Sequence, residues 1–185
     1  FRPLLKPLSA QAEKPILANK QGWSQSEDEI LLKIDSPGGA VNGYGLAASQ
    51  LQRIRDRQIP LTVCIDKIAA SGGYLMACVA NHIVAAPFAI IGSIGVVAQI
   101  PNFYRLLKKH DIDVELITAG EYKRTLTLFS ENSDKGRKKF QEDLEKIHQA
   151  FRDYVFTYRN QLDIEQISTG EHWLAKDALP LNLID

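Results

Sequence analysis

Between Lys67 and Arg105 the chain carries no Lys, Arg, Asp or Glu, although 24% of its residues are charged. A gap of this kind is a membrane span or a buried core. A helix crossing a bilayer needs about 20 consecutive apolar residues, and the most apolar window, Ile83 to Ile100, is interrupted by Pro87, Gly92, Ser93, Gly95 and Gln99. Its β-branched runs, Ile90-Ile91 and Ile94 to Val97, read as short strands buried on both faces. The gap is accordingly assigned to a core, with Ser71 at its head among Ala69, Ala70, Gly72 and Gly73.

The flanking pattern predicts the elements around that core. Glu29 to Asp35 is nearly all apolar, as interior parallel strands are, and runs into Ser36-Pro37-Gly38-Gly39. From Gly43 to Arg57, Tyr44, Ala47, Ala48, Leu51 and Ile54 recur at helical spacing, with Gln50, Gln52, Arg53, Arg55 and Asp56 on the other face. Leu61 to Ile65 is a second strand, so strand, helix and strand form a βαβ crossover in a parallel sheet. Further on, the pattern predicts a helix from Gly72 to about Asn81 and strands over Ile83–Ala86 and Ile94–Ala98. A helix from Pro101 through Lys109 and a half-buried strand over the alternating Ile112–Thr118 follow. Gly120 to Phe129 has no period and is read as a surface crossing. Phe140, Leu144, Ile147, Phe151, Val155 and Tyr158 mark a long helix, 134–161, with Ser133 as its N-cap. The tail from Thr169 predicts a turn and a short helix. The alternation of β and α units gives an α/β domain over residues 30–185, and the Pro- and polar-rich residues 1–29 read as an N-terminal arm or linker.

Composition removes some classes of partner. Lys plus Arg and Asp plus Glu are 22 each, so no overall field draws the chain to nucleic acid or an anionic bilayer. Cys64 and Cys78 both lie in apolar surroundings and read as free buried thiols rather than a disulfide framework. No signal peptide is visible in residues 1–19, and a start without Met suggests a piece of a longer protein.

Ser71 is the first chemical candidate. At a strand-to-helix junction among small residues its hydroxyl is uncovered, and a helix start favours negative charge. Serine at a helix start is also the ordinary N-cap, and both readings stand. Two glycines after Pro37 free backbone N–H groups to cradle an anion or oxyanion. A serine nucleophile needs a base. None of His82, His110, His148 and His172 sits in a triad motif, Ala69 stands where the G-x-S-x-G elbow needs glycine, and Tyr74 breaks S-x-x-K. A distant lysine can serve if apolar burial keeps it neutral, and Lys123, with Tyr122, Leu126, Leu128 and Phe129 around it, is the candidate. Most lysines are solvated, and Arg124 beside it fits a basic rim equally.

Asp35-Ser-Pro-Gly-Gly39, Ala69-Ala-Ser-Gly-Gly-Tyr74, Gly92-Ser-Ile-Gly-Val96, Tyr122-Lys123 and Thr169-Gly170, in this order, closely resemble the S49 signal-peptide-peptidase family, nearest its SohB branch. The resemblance covers about Ile30 to Asp185. It implies a ClpP/crotonase-like fold with a mostly parallel sheet and flanking helices, and a serine peptidase with a Ser-Lys dyad and no cofactor or metal. By this similarity Ser71 is the nucleophile and Lys123 the general base. Gly39 and Gly72 supply the oxyanion-hole N–H groups, with Gly38 shaping the turn. The resemblance further implies a homo-oligomer whose sites can be shared between subunits. Location would be the periplasmic side of a bacterial inner membrane, with an anchor before Phe1. Substrates would be extended hydrophobic peptides, such as signal-peptide remnants or membrane-derived segments, with Ile94 to Val97 the strand that pairs with them. This chain departs from the family pattern after the lysine, where Thr125 or Thr127 could supply an orienting hydroxyl, and at Asn182-Leu183-Ile184-Asp185.

Three rivals remain. A crotonase-like enzyme would hold an acyl-CoA thioester in the same oxyanion hole but leaves Ser71 and Lys123 idle, and an inactive oligomeric scaffold would keep the assembly without turnover. Gly43-Tyr-Gly45-Leu-Ala-Ala48 with Asp66 further on mimics a dinucleotide fingerprint, but Ser36 to Asn42 separates the glycines from the strand.

Overall fold

The computed structural model describes residues 29–185, so the arm expected over 1–29 lies outside the described residues except for Glu29. In chain order the elements are β1 (Ile30–Ser36), α1 (Val41–Asp56), β2 (Leu61–Ala70), α2 (Gly72–Ala77), β3 (His82–Ala85), β4 (Ile90–Gly92), α3 (Tyr104–Lys109), α4 (Asp134–Tyr158), α5 (Ile164–Ile167), β5 (His172–Leu174) and α6 (Ala175–Ala178). The fold is mixed α/β, with a mostly parallel sheet flanked by helices. No helix among the described residues is long and apolar enough to cross a membrane.

β2 is the centre of the five-stranded sheet. It pairs in parallel with β1 along one side, while on the other its first half pairs with β3 and its last three residues, Ile68 to Ala70, pair with β4. A strand paired along both edges is apolar wherever both of its faces are covered, and Leu61, Val63, Ile65 and Ala69 are fully buried. The expected βαβ unit forms as β1-α1-β2, with Ala47, Ala48, Leu51 and Ile54 as the buried face of α1. β2 runs five residues beyond the expected Ile65. Its register against β1 slips between Ile34 and Ser36, so that Ser36 lies opposite Ala69. That irregularity leaves Asp66 and Lys67 facing solvent in ion pairs with Lys33 and Asp35, and it brings the end of β2 to the end of β1.

Several expected elements take another form. α2 stops at Ala77 rather than Asn81. The short strand expected at Ile90-Ile91 forms as β4, whereas the one expected over Ile94–Ala98 does not, because Gly92 (φ +102°) and Ser93 (φ +52°) turn the chain out of extended geometry. The strand expected over Ile112–Thr118 does not form. Its alternation is present, but among the described residues no strand pairs with it, and Ile112, Val114 and Leu116 remain 51%, 45% and 48% exposed. β5 and α5 have no signature in the local sequence pattern. β5 is antiparallel to β4, with Trp173 opposite Ile91. The expected cap of α4 is present: the Gly136 N–H donates to Ser133 Oγ at 3.1 Å.

The described residues form two compact units, one up to Gly95 joined by Phe151–Asp185, the other Val96–Ala150. The first holds the sheet and nearly all of the buried core. In it the Cys78 thiol is buried and pushed well above the ordinary thiol range by desolvation, while Cys64 is half-buried, and both are free. The second unit holds α3, most of α4 and the loop carrying Lys123.

Candidate active site

Ser71 sits between β2 and α2 with φ +50° and ψ −120°. A non-glycine residue held there costs on the order of 1–3 kcal/mol and persists only when its surroundings over-determine it. The surroundings do so. The Ser71 N–H donates to the Gly92 carbonyl at 2.8 Å, and its carbonyl accepts from the Leu75 N–H at 2.9 Å. Gly92 is in turn fixed by β5: a Cβ there would lie 2.8 Å from the Trp173 ring, and the Ser93 N–H donates to the Glu171 carbonyl at 2.6 Å. The Ser71 side chain makes no capping bond to α2. The N-cap reading of this serine therefore does not describe what its hydroxyl does.

The Pro37-Gly38-Gly39 turn lies directly against this junction. A Cβ on Gly38, whose φ is +96°, would meet the Gly72 nitrogen and the Ser71 Cβ at 2.8 Å each. A Cβ on Gly73 would meet the Ser36 carbonyl oxygen at 2.3 Å. Both contacts are closer than any side chain allows, so the two loops approach backbone to backbone because glycine stands at each place. Ser71, Gly38, Gly39 and Gly72 are thus gathered at one point. The Ser71 N–H is spent on Gly92, whereas the N–H groups of Gly39 and Gly72 are the donors that the resemblance assigns to the site. No hydrogen bond among the described residues uses either of them. α2 has only six residues, so its dipole adds less than the sequence suggested and the individual N–H groups carry the effect.

Tyr74 anchors α2 from below. It is fully buried, and its hydroxyl donates to the Leu183 carbonyl at 2.7 Å. Burial raises its pKa far above the ordinary phenol range. The segment Asn182–Asp185 is itself pinned by Arg159, which donates to Asp185 Oδ2 at 2.9 Å, Asp185 Oδ1 at 3.0 Å and the Asn182 carbonyl at 2.9 Å. Asn182 adopts φ +60°, a left-handed conformation that asparagine tolerates better than most residues. Nothing local in the sequence ties Tyr74 or Arg159 to residues 182–185, so these supports leave no signal there.

Lys123 belongs to the other compact unit. Its N–H donates to the Gly120 carbonyl at 3.1 Å in a turn without regular structure. The expected apolar burial is not supplied by the described residues: Lys123 is exposed, and Tyr122, Leu128 and Phe129 are each nearly half exposed. The loop is nevertheless well held. Asn102 Nδ2 donates to the Thr127 and Ser130 carbonyls, and Glu121 pairs with Lys135. Thr127 does not offer a free hydroxyl to the lysine, since its Oγ1 donates to the Ser130 carbonyl and accepts from the Ser130 N–H. Thr125 is left as the candidate for that role.

The dinucleotide reading is overturned by the same structure. Gly43 and Gly45 lie inside α1, not in a turn between strand and helix, so their N–H groups cannot cradle a phosphate.

Two family descriptions match the sequence: Peptidase family S49 over residues 53–185 and Peptidase family S49 N-terminal over residues 21–51. The chain belongs to peptidase family S49. The match begins upstream of Ile30, where the resemblance in the sequence motifs starts. Among curated relatives, a protein of Haemophilus influenzae named "Probable protease SohB" is 60% identical over 162 residues, 88% of this chain and 46% of that protein. A protein of the same name from Buchnera aphidicola is 58% identical over 88% of this chain and 53% of its own length. The chain spans about half the length of these relatives. A solved structure described as that of an enzyme superposes with a TM-score of 0.51 at 13% identity, over 96% of this chain and 86% of the other, a likeness of fold.

Proposed function

We propose that this chain carries the catalytic part of a serine endopeptidase with a Ser71-Lys123 dyad, acting on extended apolar peptides such as signal-peptide remnants. The observation that carries this reading is the Ser71 junction: a strained serine whose hydroxyl caps nothing, beside two backbone donors with no acceptor. An N-cap or packing serine has no need of that conformation. A crotonase-like acyl-CoA site would use the donors and leave the strained hydroxyl without a task.

In the proposed reaction Ser71 Oγ attacks the scissile carbonyl carbon while the neutral Lys123 amine takes the hydroxyl proton. The carbonyl oxygen becomes an oxyanion that accepts from the Gly39 and Gly72 N–H groups, donors worth about 10²–10³ in kcat each when aimed at developing charge. The tetrahedral species collapses, the C–N bond breaks, and the Lys123 ammonium returns its proton to the leaving amine. Water then attacks the acyl-enzyme, with Lys123 again as base, releasing the acid and restoring Ser71.

The exposed Lys123 supports a further part of the reading. A lysine that acts as a base must be desolvated, so another surface, from substrate or from a second copy of this chain, has to dry it. The exposed alternating row of Ile112, Val114 and Leu116 in the same unit is apolar surface of the kind a homo-oligomer buries. We place the protein at the periplasmic side of a bacterial inner membrane, a placement tested by attack of externally added protease on spheroplasts.

The direct test is hydrolysis of a fluorogenic apolar peptide by wild type, S71A and K123A, each checked for folding. Both variants should lose at least about 10³-fold in kcat. Either one retaining full activity overturns the dyad. A strictly monomeric species in light scattering that still cleaves overturns the shared site alone.

A further inference from the structure

The geometry points to Tyr44 as a positioning residue that sets the separation of the two oxyanion donors, an inference that rests on the peptidase reading above. Tyr44 lies in the first turn of α1, half-buried, a helical position that in the sequence reads only as part of the core face. Its ring is wedged between the two glycines that supply the donors. A Cβ on Gly39 would lie 2.8 Å from Tyr44 Cε2. A Cβ on Gly72 would lie 2.4 Å from Cγ and 2.7 Å from Cδ1. One flat side chain therefore fills the Cβ positions of both, and neither backbone can move toward the other without meeting it.

The far end of the ring is fixed as well. The Tyr44 hydroxyl shares a 2.7 Å hydrogen bond with Ser36 Oγ, and the same oxygen accepts from the Gly38 N–H at 3.3 Å. Ser36 is buried, and its carbonyl oxygen is the atom against which Gly73 packs. The phenol thus connects the end of β1, the turn that bears Gly39 and the start of α2 that bears Gly72. Ring and hydroxyl have separable tasks: the ring spaces the donors, and the hydroxyl holds the ring and the Gly38 turn in one register. Tyr44 touches no reacting atom. It acts through Gly39 and Gly72, and because an error of about 1 Å in a reacting geometry can cost about 10²-fold in rate, its removal should be felt in the chemical step.

The test uses Y44L and Y44F in the full chain with a fluorogenic apolar peptide and, as a mimic of the tetrahedral oxyanion, the peptide aldehyde leucyl-leucyl-leucinal. Y44L is expected to lower kcat about 10²-fold with KM within about twofold. It should weaken the aldehyde by a similar factor, since only the tetrahedral adduct needs both donors. Y44F, which keeps the spacer and loses the tie to Ser36, should lose about three- to tenfold in kcat with KM unchanged. Partial rescue by Phe, together with parallel loss of kcat and aldehyde affinity, separates positioning from a packing defect, which would lower the thermal midpoint and the active fraction but leave the aldehyde affinity of the remaining active enzyme unchanged. Y44L within threefold of wild type in kcat overturns the inference, as does a Y44F that matches wild type if Y44L does not fold. A wild-type protein inert to both peptide and aldehyde overturns the peptidase reading itself, whereas an active wild type with an unaffected Y44L overturns only the role of Tyr44.

Discussion

Gly38, Gly43 and Gly73 all stand in sequence motifs, yet the structure asks different things of them. Gly38 needs both its positive φ and its missing Cβ, and Gly73 needs the missing Cβ alone, to let α2 close on the Ser36 carbonyl. Gly43 needs neither: it is exposed, helical and has nothing within 4 Å of where a Cβ would be. G43A is therefore expected to stabilise by about 0.5–1 kcal/mol through helix propensity. G73A should destabilise by about 1–3 kcal/mol by overpacking. Denaturant midpoints of the two variants check the contrast, and a stabilising G73A would refute the backbone contact described here. The motif letters made all these glycines visible in the sequence. Which of them the chain could not change was not legible, because it depends on what crosses above each one.

At the scale of elements, sequence served best where one period persisted. α1 and α4 carry a single helical repeat over many residues, and β1-α1-β2 carries a strand, turn and helix in order, so these were readable from apolar spacing. Ile94–Ala98 and Ile112–Thr118 have strand composition but no strand, since pairing depends on a neighbour that local pattern cannot name. β5 was missed for the converse reason: three residues, His172 to Leu174, become a strand because β4 lies alongside. The candidate site shows the same division. Ser71 and the glycine turn were legible as residues, but Tyr44, Tyr74 and Arg159, which hold them, act over long sequence separations. The Lys123 loop offers an element-scale prediction. A Cβ on Gly136 at the start of α4 would lie 2.2 Å from the Thr125 carbonyl oxygen. G136A should thus destabilise by about 1–3 kcal/mol, against the gain of about 1 kcal/mol that propensity alone would give. Thermal unfolding decides between the two signs.

In the molecule as a whole, the segment Asn182–Asp185 is part of what fixes the start of α2. Arg159 is only 3% exposed, and its charge is answered by Asp185. Burial disfavours ionised Asp185, but the Arg159 and Ile83 N–H hydrogen bonds outweigh it and hold the carboxyl below its usual range. A depressed folded pKa contributes stability that is present above the unfolded value, about 3.9, and is lost as pH falls through the folded one. Breaking a buried pair costs about 3–5 kcal/mol. The Asp185 side chain is 39% exposed, so D185N should cost nearer about 2 kcal/mol at neutral pH. The gap between wild type and D185N should stay constant above about pH 5 and narrow below about pH 4. A gap that widens on acidification would contradict the assignment. Because Tyr74 binds the Leu183 carbonyl, the same variant should also slow turnover.

Covalent capture asks whether Ser71 is a nucleophile activated by Lys123. The full chain, as wild type and as folded K123A, is treated with a serine-directed fluorophosphonate and the adduct is mapped by peptide mass. A single adduct on Ser71 in wild type, lost in K123A, is the expected result. Labelling elsewhere, no labelling of wild type, or equal labelling of Ser71 without Lys123 would contradict it.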